Sequence, residues 1–414
     1  MVRNISLKLF VSLVMSVVFV SYFEKPQINF FMPLWGFLCA PQQTVGKDLH
    51  TFLPKGMPHK VSKDRYYVNP WQASGVVSPI AELVLRSGCL SIDGKDKGKL
   101  IEFANYFVKT AQIRESDGSK FAVWPYPIRF SYGLQPGWIS GMAQGNVAVV
   151  LAGASFCSEH PNSSLFEQYA RLAIGSFEIS VENGGVLVHV DGGNWYEEYA
   201  QPGIKPPLVL NGHNYAVFAL GKLRDFDERA EDLYYSGVSA VAENIHHFDA
   251  ITWSYYDRVG TPANNNYQPL HARQMKELYH LTGNDTFLHY HKKFSAQLLS
   301  PFSSAQRFYL NPTRFLGFLL VVNTIAIWVL LVFIGSLVKF LKRGKPPVKI
   351  THLTSVHPGT CLLREGIPKE RIHQVGDVMC DAALILWRKS CAADPGGGTY
   401  EQLYVYIINV VCYK

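Results

Sequence analysis

The sequence predicts a mainly α-helical protein with one or two transmembrane helices. Between residues 76 and 310, apolar residues recur every three or four positions, as amphipathic helices require. One such helix face is formed by Leu100, Phe103, Ala104, Phe107 and Val108. Short strand-like segments at 185–190 and 250–256 lie between the helices. Helices that pair in sequence order, joined by loops with Gly, Pro and aromatic residues, predict an (α/α) toroid of helical hairpins with short β elements.

Two apolar segments predict the membrane topology. The stretch 315–338 has 24 residues without a charge, which is long enough to cross a bilayer. Residues 1–25 contain a shorter apolar run after Arg3 and Lys8, which suits either a signal peptide or a signal-anchor. A cluster of basic residues follows Val338 and predicts that the end of the chain stays in the cytosol.

The charge distribution follows this topology. The net charge is +7, but residues 50–310 hold 23 basic and 24 acidic residues, so the excess lies at the membrane flanks. This pattern predicts a membrane partner and no nucleic-acid partner. Sequence patterns at Asn162 and Asn284 fit N-glycosylation in a secretory compartment. The predicted organisation is a signal-anchor or signal peptide (1–25), a linker and domain entry (26–75), a luminal toroid domain (76–310), a transmembrane helix (315–338) and a cytosolic tail (339–414).

The segment 194–203, NWYEEYAQPG, places aromatic residues beside two adjacent acids. A plain surface loop does not explain Trp195 and Tyr199. A plain buried strand does not explain Glu197 and Glu198, because burying an unpaired charge is costly. A cleft that stacks a sugar ring and moves a proton accounts for both, and a turn with an aromatic anchor is the alternative.

Three stretches carry a resemblance to a known family: residues 124–145, 194–220 and 253–278. They contain the phrases QPGW, MAQG, WYEEY and LNG, and the spacing YxxxHxxQ that begins at Tyr267. In this order they resemble the catalytic domain of the D-glucuronyl C5-epimerases, which convert D-glucuronate to L-iduronate within heparan-type chains. The resemblance covers roughly residues 60–300.

The resemblance implies an (α/α) toroid with a groove for a linear uronate polysaccharide and a reaction without an organic cofactor. It also implies a Golgi location with the catalytic domain in the lumen, and it leaves a homodimer open. The catalytic residues that it implies are Glu198, Tyr199, Tyr256 and Tyr267. The family's arginine that steadies the uronate carboxylate falls on Arg258 with an offset of one residue, which leaves Tyr255 as an alternative to Tyr256. The long β-rich N-terminal region of the animal enzymes is reduced here, and a second membrane span is not typical of them.

The chemistry explains why such residues are needed. Inverting C5 of a glucuronate removes the hydrogen α to the carboxylate and returns a proton to the other face of the ring. We expect Glu198 and Tyr267 to carry these protons, because burial raises a carboxyl pKa and a phenol near pKa 10 can donate to a carbanion. Tyr199 and Tyr256 are expected to support charge and position. Which group abstracts and which donates stays open.

Other residues are expected to hold the substrate. Charge that develops on the carboxylate needs preorganised partners, for which Arg258 is the candidate and Asn211 and His271 are helpers. The complete predicted substrate-binding set is Arg258, Asn211, His271, Trp195, Gln135 and Gln144. The alternatives are an Arg258 that only pairs with Asp257, a core histidine at His271 and a turn at Asn211. No metal site is predicted, because the His pairs lack acidic partners at ligand spacing and the cysteines show no close pairing. Among the luminal cysteines one disulfide is possible.

Three rival functions share some of these features. A uronate polysaccharide lyase begins with the same proton abstraction and then expels the C4 substituent. A glycoside hydrolase is disfavoured because Glu197 and Glu198 are neighbours in sequence and tend to point apart. A membrane-tethered carbohydrate-binding protein that has lost activity is the non-enzymatic alternative. A nicotinamide-dependent epimerase would need a Gly-rich turn after a strand, and the sequence has none.

Overall fold

The computed structural model describes residues 2–39, 56–62, 65–157 and 159–343, and these residues are mainly α-helical with a few short strands, which confirms the predicted fold class. The helices are α1 (Val2–Cys39), α2 (Pro70–Ser87), α3 (Gly94–Thr110), α4 (Gly141–Ser155), α5 (Ser163–Gly175), α6 (Leu210–Lys222), α7 (Glu228–Asn244), α8 (Tyr267–Thr282), α9 (Asp285–Leu298), α10 (Ser303–Leu310) and α11 (Arg314–Arg343). The strands form three antiparallel pairs, which are β1 (His59–Ser62) with β2 (Arg65–Val68), β3 (Gln112–Ser116) with β4 (Ser119–Val123), and β5 (Leu187–Val190) with β6 (Gly193–Tyr196).

Helices α2 to α9 form four hairpins of consecutive helices, α2/α3, α4/α5, α6/α7 and α8/α9. The first helix of each hairpin packs against the first helix of the next, so α2, α4, α6 and α8 form a continuous row that we call the inner layer. This is the order of hairpins that a toroid requires. Closure of the row into a ring stays a prediction.

Helix α4 is the most enclosed element of the inner layer. Every residue from Ala143 to Ala154 is buried, because α2, α3, α5 and α6 all pack against α4. Two glycines allow the close approach of its neighbours. A Cβ on Gly153 would lie 2.7 Å from Cα of Ala81 in α2, and a Cβ on Gly145 would lie 2.7 Å from Cβ of Ala219 in α6. The apolar core therefore sits between the two helical layers.

Side-chain caps fix where several helices begin. The carboxamide of Asn69 accepts from Gln72 N at the start of α2, and the carboxylate of Asp93 accepts from Asp96 N at the start of α3. Such caps satisfy backbone N–H groups that have no partner inside the helix. Gly283 ends α8 in the left-handed conformation, which costs glycine little.

Helices α1 and α11 are long and apolar enough to cross a membrane, over Ile5–Glu24 and Phe315–Phe340. They pack against each other, and α1 is kinked at Phe23. Ser16 Oγ donates to Leu320 O at 2.8 Å across this pair. Of the predicted cytosolic tail, the part from residue 344 onward lies outside the described residues.

Two segments differ from the sequence expectation. Residues 26–39 continue α1 instead of beginning an irregular linker. Residues 250–256 form no strand and make only isolated bridges, Asp249 with Ser254 and Tyr255 with Pro262. Trp253 and Tyr256 are buried by loop packing rather than by a sheet, whereas Ile251 is exposed, and Trp253 donates its indole N–H to Ala263 O at 2.6 Å within the same loop.

A disulfide joins Cys89 to Cys157 and so ties the end of α2 to the end of α4, with the two Cα atoms 5.1 Å apart. It closes a loop across a sequence separation of 68 residues. A cross-link of this span restricts the unfolded chain, and its removal typically costs 2–5 kcal/mol.

We therefore expect the double change Cys89→Ala, Cys157→Ala to lower the free energy of unfolding of the chain in detergent by about 2–4 kcal/mol. Chemical denaturation with and without a reducing agent measures this. Reduction should destabilise the wild-type chain and leave the double variant unchanged. An equal response of both proteins to reduction would show that the disulfide does not stabilise the fold.

Candidate active site

The loops before the inner helices meet at one end of the inner layer. At the start of α2, Asn69 Oδ1 accepts from the hydroxyl of Tyr126 at 3.2 Å. At the start of α4, Gly141 N donates to Glu197 O at 2.8 Å. The first contact brings the segment between β4 and α4 to the N-terminal end of α2, and the second brings the segment after β6 to the N-terminal end of α4.

The other two inner helices reach the same place. Leu210 N at the start of α6 donates to Tyr256 O at 3.1 Å, and Tyr267 is the first residue of α8. The N-terminal end of a helix carries a partial positive charge, so four such ends favour an anionic group between them.

The β5–β6 hairpin anchors the segment that carries the paired acids. Trp195 is fully buried and stacks on His213 with ring centroids 4.0 Å apart. Tyr196 N donates to His213 Nδ1 at 2.8 Å, and the Tyr196 hydroxyl donates to Leu233 O at 2.6 Å. Burial lowers the pKa of His213 to about 3, so the ring is neutral and its Nδ1 accepts. The structure thus places Trp195 in the core instead of in the predicted groove.

Glu197 holds the loop after β6. Its Oε1 accepts from Tyr199 N at 2.9 Å and its Oε2 accepts from Leu208 N at 2.8 Å. Burial raises the pKa of Glu197 to about 7, and the backbone hydrogen bonds limit this increase. The carboxyl group of Glu197 ties both ends of the 199–208 loop together. This directs Glu198 and Tyr199, the two residues after Glu197, into the site.

Glu198 is the centre of what we call the acid–phenol cluster, formed by Glu198, Tyr199, Tyr256 and Tyr267. Only 5% of Glu198 is exposed. Asn211 Nδ2, in the first turn of α6, donates to Glu198 Oε2 at 3.4 Å. Burial raises the pKa of Glu198 to about 8, and the charge of Glu197 adds to this increase. Hydrogen bonds with Tyr199, Tyr256 and Asn211 offset part of it.

Gly212 makes room for the carboxyl group of Glu198. A Cβ on Gly212 would lie 2.2 Å from Glu198 Oε2 and 2.5 Å from Glu198 Cβ. Both atoms belong to the Glu198 side chain, so a larger residue at position 212 would displace it. This contact gives a physical reason for the glycine in the LNG phrase.

The three phenols of the cluster are in contact. The hydroxyls of Tyr199 and Tyr256 are 3.0 Å apart, and the rings of Tyr256 and Tyr267 have centroids 4.5 Å apart. Burial raises the pKa of Tyr267, the charge of Glu198 adds to the increase, and a hydrogen bond with Tyr256 offsets part of it. The structure therefore brings all four predicted catalytic residues together, and Asn211 joins them.

A segment between β4 and α4 covers the cluster. The rings of Phe130 and Tyr132 lie 5.3 and 5.4 Å from the ring of Tyr199. The hydroxyl of Tyr132 donates to Asp257 Oδ2 at 2.5 Å, and Asp257 Oδ1 accepts from Val259 N at 3.0 Å. Tyr132 has a positive φ of 62°, a strained conformation for a bulky residue. Asp257 thus joins the covering segment to the loop that follows Tyr256.

Two predicted substrate-binding residues lie in the core instead. Gln144 is fully buried in α4, where its Nε2 donates to Ala122 O at 2.8 Å and its Oε1 accepts from Trp124 N at 3.1 Å. His271 is fully buried in α8 and lies 3.0 Å from Ser254 Oγ through Nδ1. Burial lowers the pKa of His271 to about 3. Gln144 thus holds the end of β4, and His271 holds the loop that contains Ser254.

The other two lie on the surface. Gln135 is exposed, and its backbone N–H donates to Gln201 Oε1 at 2.8 Å on the rim of the site. Arg258 is exposed, and its guanidinium donates to Asn244 Oδ1 at 3.1 Å at the end of α7. The structure therefore does not bring Arg258 to the acid–phenol cluster. Its backbone N–H donates to Pro207 O at 3.0 Å, so the main chain at this position is also held.

Sequence reasoning missed one group beside the cluster. The rings of Trp71 in α2 and Tyr215 in α6 lie 4.8 Å apart, and both are half-buried. Burial raises the pKa of Tyr215, the charge of Arg273 in α8 acts against this, and the charge of Glu198 adds to it. Trp71, Tyr215 and Arg273 are far apart in sequence, so only the packing of α2, α6 and α8 brings them together. We call Trp71, Tyr215 and Arg273 the aromatic shelf.

The fold and site define a helical protein with a buried acid–phenol cluster at the N-terminal ends of its inner helices. Residues 117–296 match the family described as D-glucuronyl C5-epimerase C-terminus, and this match supports the epimerase family for that domain. The match favours an epimerase among the classes of enzyme.

Two relatives show how far the similarity extends. An uncharacterized protein of Methanocaldococcus jannaschii is 34% identical over 193 residues, which are 45% of this chain and 61% of the relative. The D-glucuronyl C5-epimerase of Caenorhabditis elegans is 30% identical over 153 residues, which are 32% of this chain and 24% of that protein. The chain thus matches less than two thirds of the length of either relative.

The raised pKa of Glu198 predicts how stability depends on pH. The folded chain keeps the proton of Glu198 up to about pH 8, whereas the unfolded chain releases it near 4.5. The unfolding free energy therefore falls as pH rises through this range. We expect Glu198→Gln, which cannot ionise, to be more stable than wild type at pH 8.5, by on the order of 3 kcal/mol, with a smaller difference at pH 5.

Thermal unfolding in detergent at both pH values tests this expectation. Glu231→Gln, which changes an exposed carboxylate on α7, is the matched control and should leave the pH dependence unaltered. If the difference in unfolding free energy between Glu198→Gln and wild type does not increase from pH 5 to pH 8.5, this would contradict the burial of an ionisable carboxyl group.

Proposed function

We propose that the chain is a cofactor-independent epimerase that converts D-glucuronate to L-iduronate within a heparan-type polysaccharide, either heparosan or its N-sulfated form. The observation that carries this proposal is the acid–phenol cluster, in which a buried carboxyl group of raised pKa lies among three tyrosines. A proton is removed and another returned at the same carbon, so the reaction needs no oxidant or reductant.

The order of the pKa values supports one assignment of base and acid. Glu198, with a pKa of about 8, ionises well before Tyr267, whose pKa is raised above the usual value for a phenol. Ionised Glu198 therefore removes the C5 proton of glucuronate, and neutral Tyr267 donates its proton to the opposite face. The C5–H electron pair passes to the carboxylate and returns to form the new C5–H bond.

The remaining phenols return the proton to its starting position. The hydroxyls of Tyr199 and Tyr256 hydrogen-bond at 3.0 Å, Tyr199 hydrogen-bonds with Glu198, and Tyr256 hydrogen-bonds with Tyr267. A proton that passes along this chain from Glu198 to Tyr267 restores both groups for the next turnover.

The substrate carboxylate is stabilised by the helix ends and not by Arg258. The N-terminal ends of α2, α4, α6 and α8 surround the cluster, and preorganised dipoles of this kind stabilise developing negative charge. Asn211 adds an amide, whose Oδ1 is buried without a partner among the described residues and can accept from a sugar hydroxyl. The aromatic shelf supplies a stacking surface and the cation of Arg273 for a neighbouring acidic sugar.

The proposed location is the Golgi membrane, with the catalytic domain in the lumen and the tail in the cytosol. The two apolar helices, the Cys89–Cys157 disulfide and the basic residues after Val338 support this topology. N-glycosylation at Asn162 and Asn284 and a homodimer belong to the same proposal.

Isotope exchange tests the activity. The full chain in detergent is incubated with heparosan or N-sulfated heparosan in heavy water, and the products are analysed by NMR and by chain length. Deuterium at C5 with unchanged chain length is the expected result. New unsaturated ends would mean a lyase, shortened saturated chains a hydrolase, and unaltered chains a binding protein. Each of these three results would overturn the proposal.

Tyr267→Phe removes the proposed proton donor and leaves the ring in place. We expect C5 exchange to fall by about 10²–10⁴-fold while polysaccharide binding stays within twofold, because general acid catalysis contributes about that much. Tyr235→Phe, an exposed tyrosine on α7, is the control and should keep full activity. Retained exchange in Tyr267→Phe would remove Tyr267 from the role of donor.

Gly212→Ala tests the space that Glu198 needs. The added methyl group would displace the carboxyl group from its place beside Asn211, so we expect the exchange rate to fall about 100-fold. Alanine is a better helix former than glycine, so loss of helix propensity does not explain such a fall. Gly98→Ala in α3, where a Cβ meets nothing within 4 Å, is the matched control. Full activity of Gly212→Ala would show that Glu198 need not hold its position.

A further inference from the structure

One face of α1 is buried against the rest of the chain and is mostly polar. Ser12, Ser16, Val20 and Glu24 follow one another at intervals of four residues, which places them on one side of the helix. All four are buried, with Glu24 7% exposed. Polar groups are costly in an apolar helix unless they have partners, so this face needs specific contacts.

The contacts at the end of this face reach α10. Ser304 Oγ donates to Val17 O at 2.8 Å, and Ser304 N donates to Ser21 Oγ at 3.0 Å. Arg307 and Glu24 then form a two-pronged ion pair, in which Nη1 donates to Oε1 at 3.2 Å and Nη2 donates to Oε2. Both side chains are 8% exposed. Removal of either partner from such a buried pair leaves an uncompensated charge.

The Glu24–Arg307 ion pair also contacts the loop 253–266, which leads to Tyr267. Glu24 Oε2 also accepts from Asn265 Nδ2 at 2.5 Å. The guanidinium of Arg307 lies over the ring of Trp253 at 5.5 Å. Asn265 and Trp253 stand at opposite ends of this loop, so the pair holds both of them.

This loop carries Tyr256 and leads to Tyr267, two members of the acid–phenol cluster. Tyr256 follows Trp253 by three residues, and Tyr267 follows Asn265 by two. Two hydrogen bonds join the beginning of the loop to its end. Tyr256 N donates to Thr261 O at 2.6 Å, and Trp253 Nε1 donates to Ala263 O at 2.6 Å. A shift of the loop would therefore move both phenols relative to Glu198, which belongs to a different segment.

We propose that Glu24 is a positioning residue for the reaction, because with Arg307 and Asn265 it fixes the loop that places Tyr256 and Tyr267 opposite Glu198. This role rests on the proposed function. The membrane helix α1 is then part of the active-site architecture in addition to being an anchor. The role requires that α1 remains attached in the mature chain.

The first test is Glu24→Gln in the full chain, reconstituted in lipid nanodiscs. The variant keeps the side-chain shape and loses the charge opposite Arg307. We expect hydrogen–deuterium exchange of the peptide covering residues 261–267 to rise about tenfold, with α4 unchanged. We also expect kcat for C5 exchange to fall about tenfold with KM within twofold, since misplaced phenols affect the chemical step more than binding.

Three further variants separate positioning from folding. The charge swap Glu24→Arg with Arg307→Glu should restore kcat to within about threefold of wild type, because the Asn265 amide can turn to accept from the new arginine. Asn265→Ala, which leaves the ion pair intact, should loosen residues 261–267 alone. Ser12→Ala removes a hydroxyl from the same face, which among the described residues donates to Lys8 O within α1, and is the matched control.

The readouts decide the proposal separately from the proposed function. Unchanged hydrogen–deuterium exchange at residues 261–267 in Glu24→Gln and Asn265→Ala would overturn it, and so would faster hydrogen–deuterium exchange with an unchanged kcat. Swap variants that insert normally but stay as slow as Glu24→Gln would also overturn it. If the wild-type chain performs no C5 exchange, the proposed function fails. The hydrogen–deuterium exchange of the backbone at residues 261–267 still shows, independently of activity, whether Glu24 holds the loop.

Discussion

The burial of one carboxyl group governs the architecture of the site. Glu198 lies against the first turn of α6, where the N-terminal end of a helix favours the ionised form of an acid. Desolvation outweighs that effect and raises its pKa to about 8. A group in this balance exchanges its proton near neutral pH, and the features around it maintain the balance. Gly212 leaves room for the carboxyl group, Glu197 fixes the loop, and the aromatic rings of Tyr199 and Tyr256 exclude water.

A reaction that removes a proton from one face of a ring and adds one to the other needs a base and an acid at separate positions. A path for protons must connect the two groups so that both return to their starting protonation states. The structure offers this connection through phenols, because Tyr199 and Tyr256 hydrogen-bond to each other between Glu198 and Tyr267. The covering segment has a related role. Tyr132 keeps a strained φ while its hydroxyl bonds to Asp257 and its ring contacts Tyr199, and release of this residue would relieve the strain. Tyr199 is 8% exposed, so under the proposed function a sugar reaches it only if this segment moves.

The sequence predicts the helical class and the members of the cluster because those depend on local patterns. Helical spacing identifies α3 to α9, and the acid and tyrosines stand in short phrases. The sequence predicts less well whether the side chains next to the cluster residues point into the site or into the core. Trp195 points into the core, where it stacks on His213, and Gln144 lies in the middle of an enclosed helix. The Tyr132–Asp257 contact spans 125 residues, so no local pattern contains it. The aromatic shelf has the same origin, since it depends on how three helices pack.

The two halves of the cluster are supported in different ways, and this difference connects the membrane helices to the chemistry. Glu198 and Tyr199 follow a hairpin that is anchored in the core through Trp195 and Tyr196. Tyr256 lies in a loop, and Tyr267 directly follows it as the first residue of α8; the outer contacts of this loop include the Glu24–Arg307 pair at the end of α1. A change in the packing of α1 and α11 therefore acts on the phenols and leaves the carboxyl group in place. In the proposed reaction a proton passes between these halves, so the rate is expected to depend on the distance between them, and the proposed role of Glu24 makes α1 an element that can alter this distance.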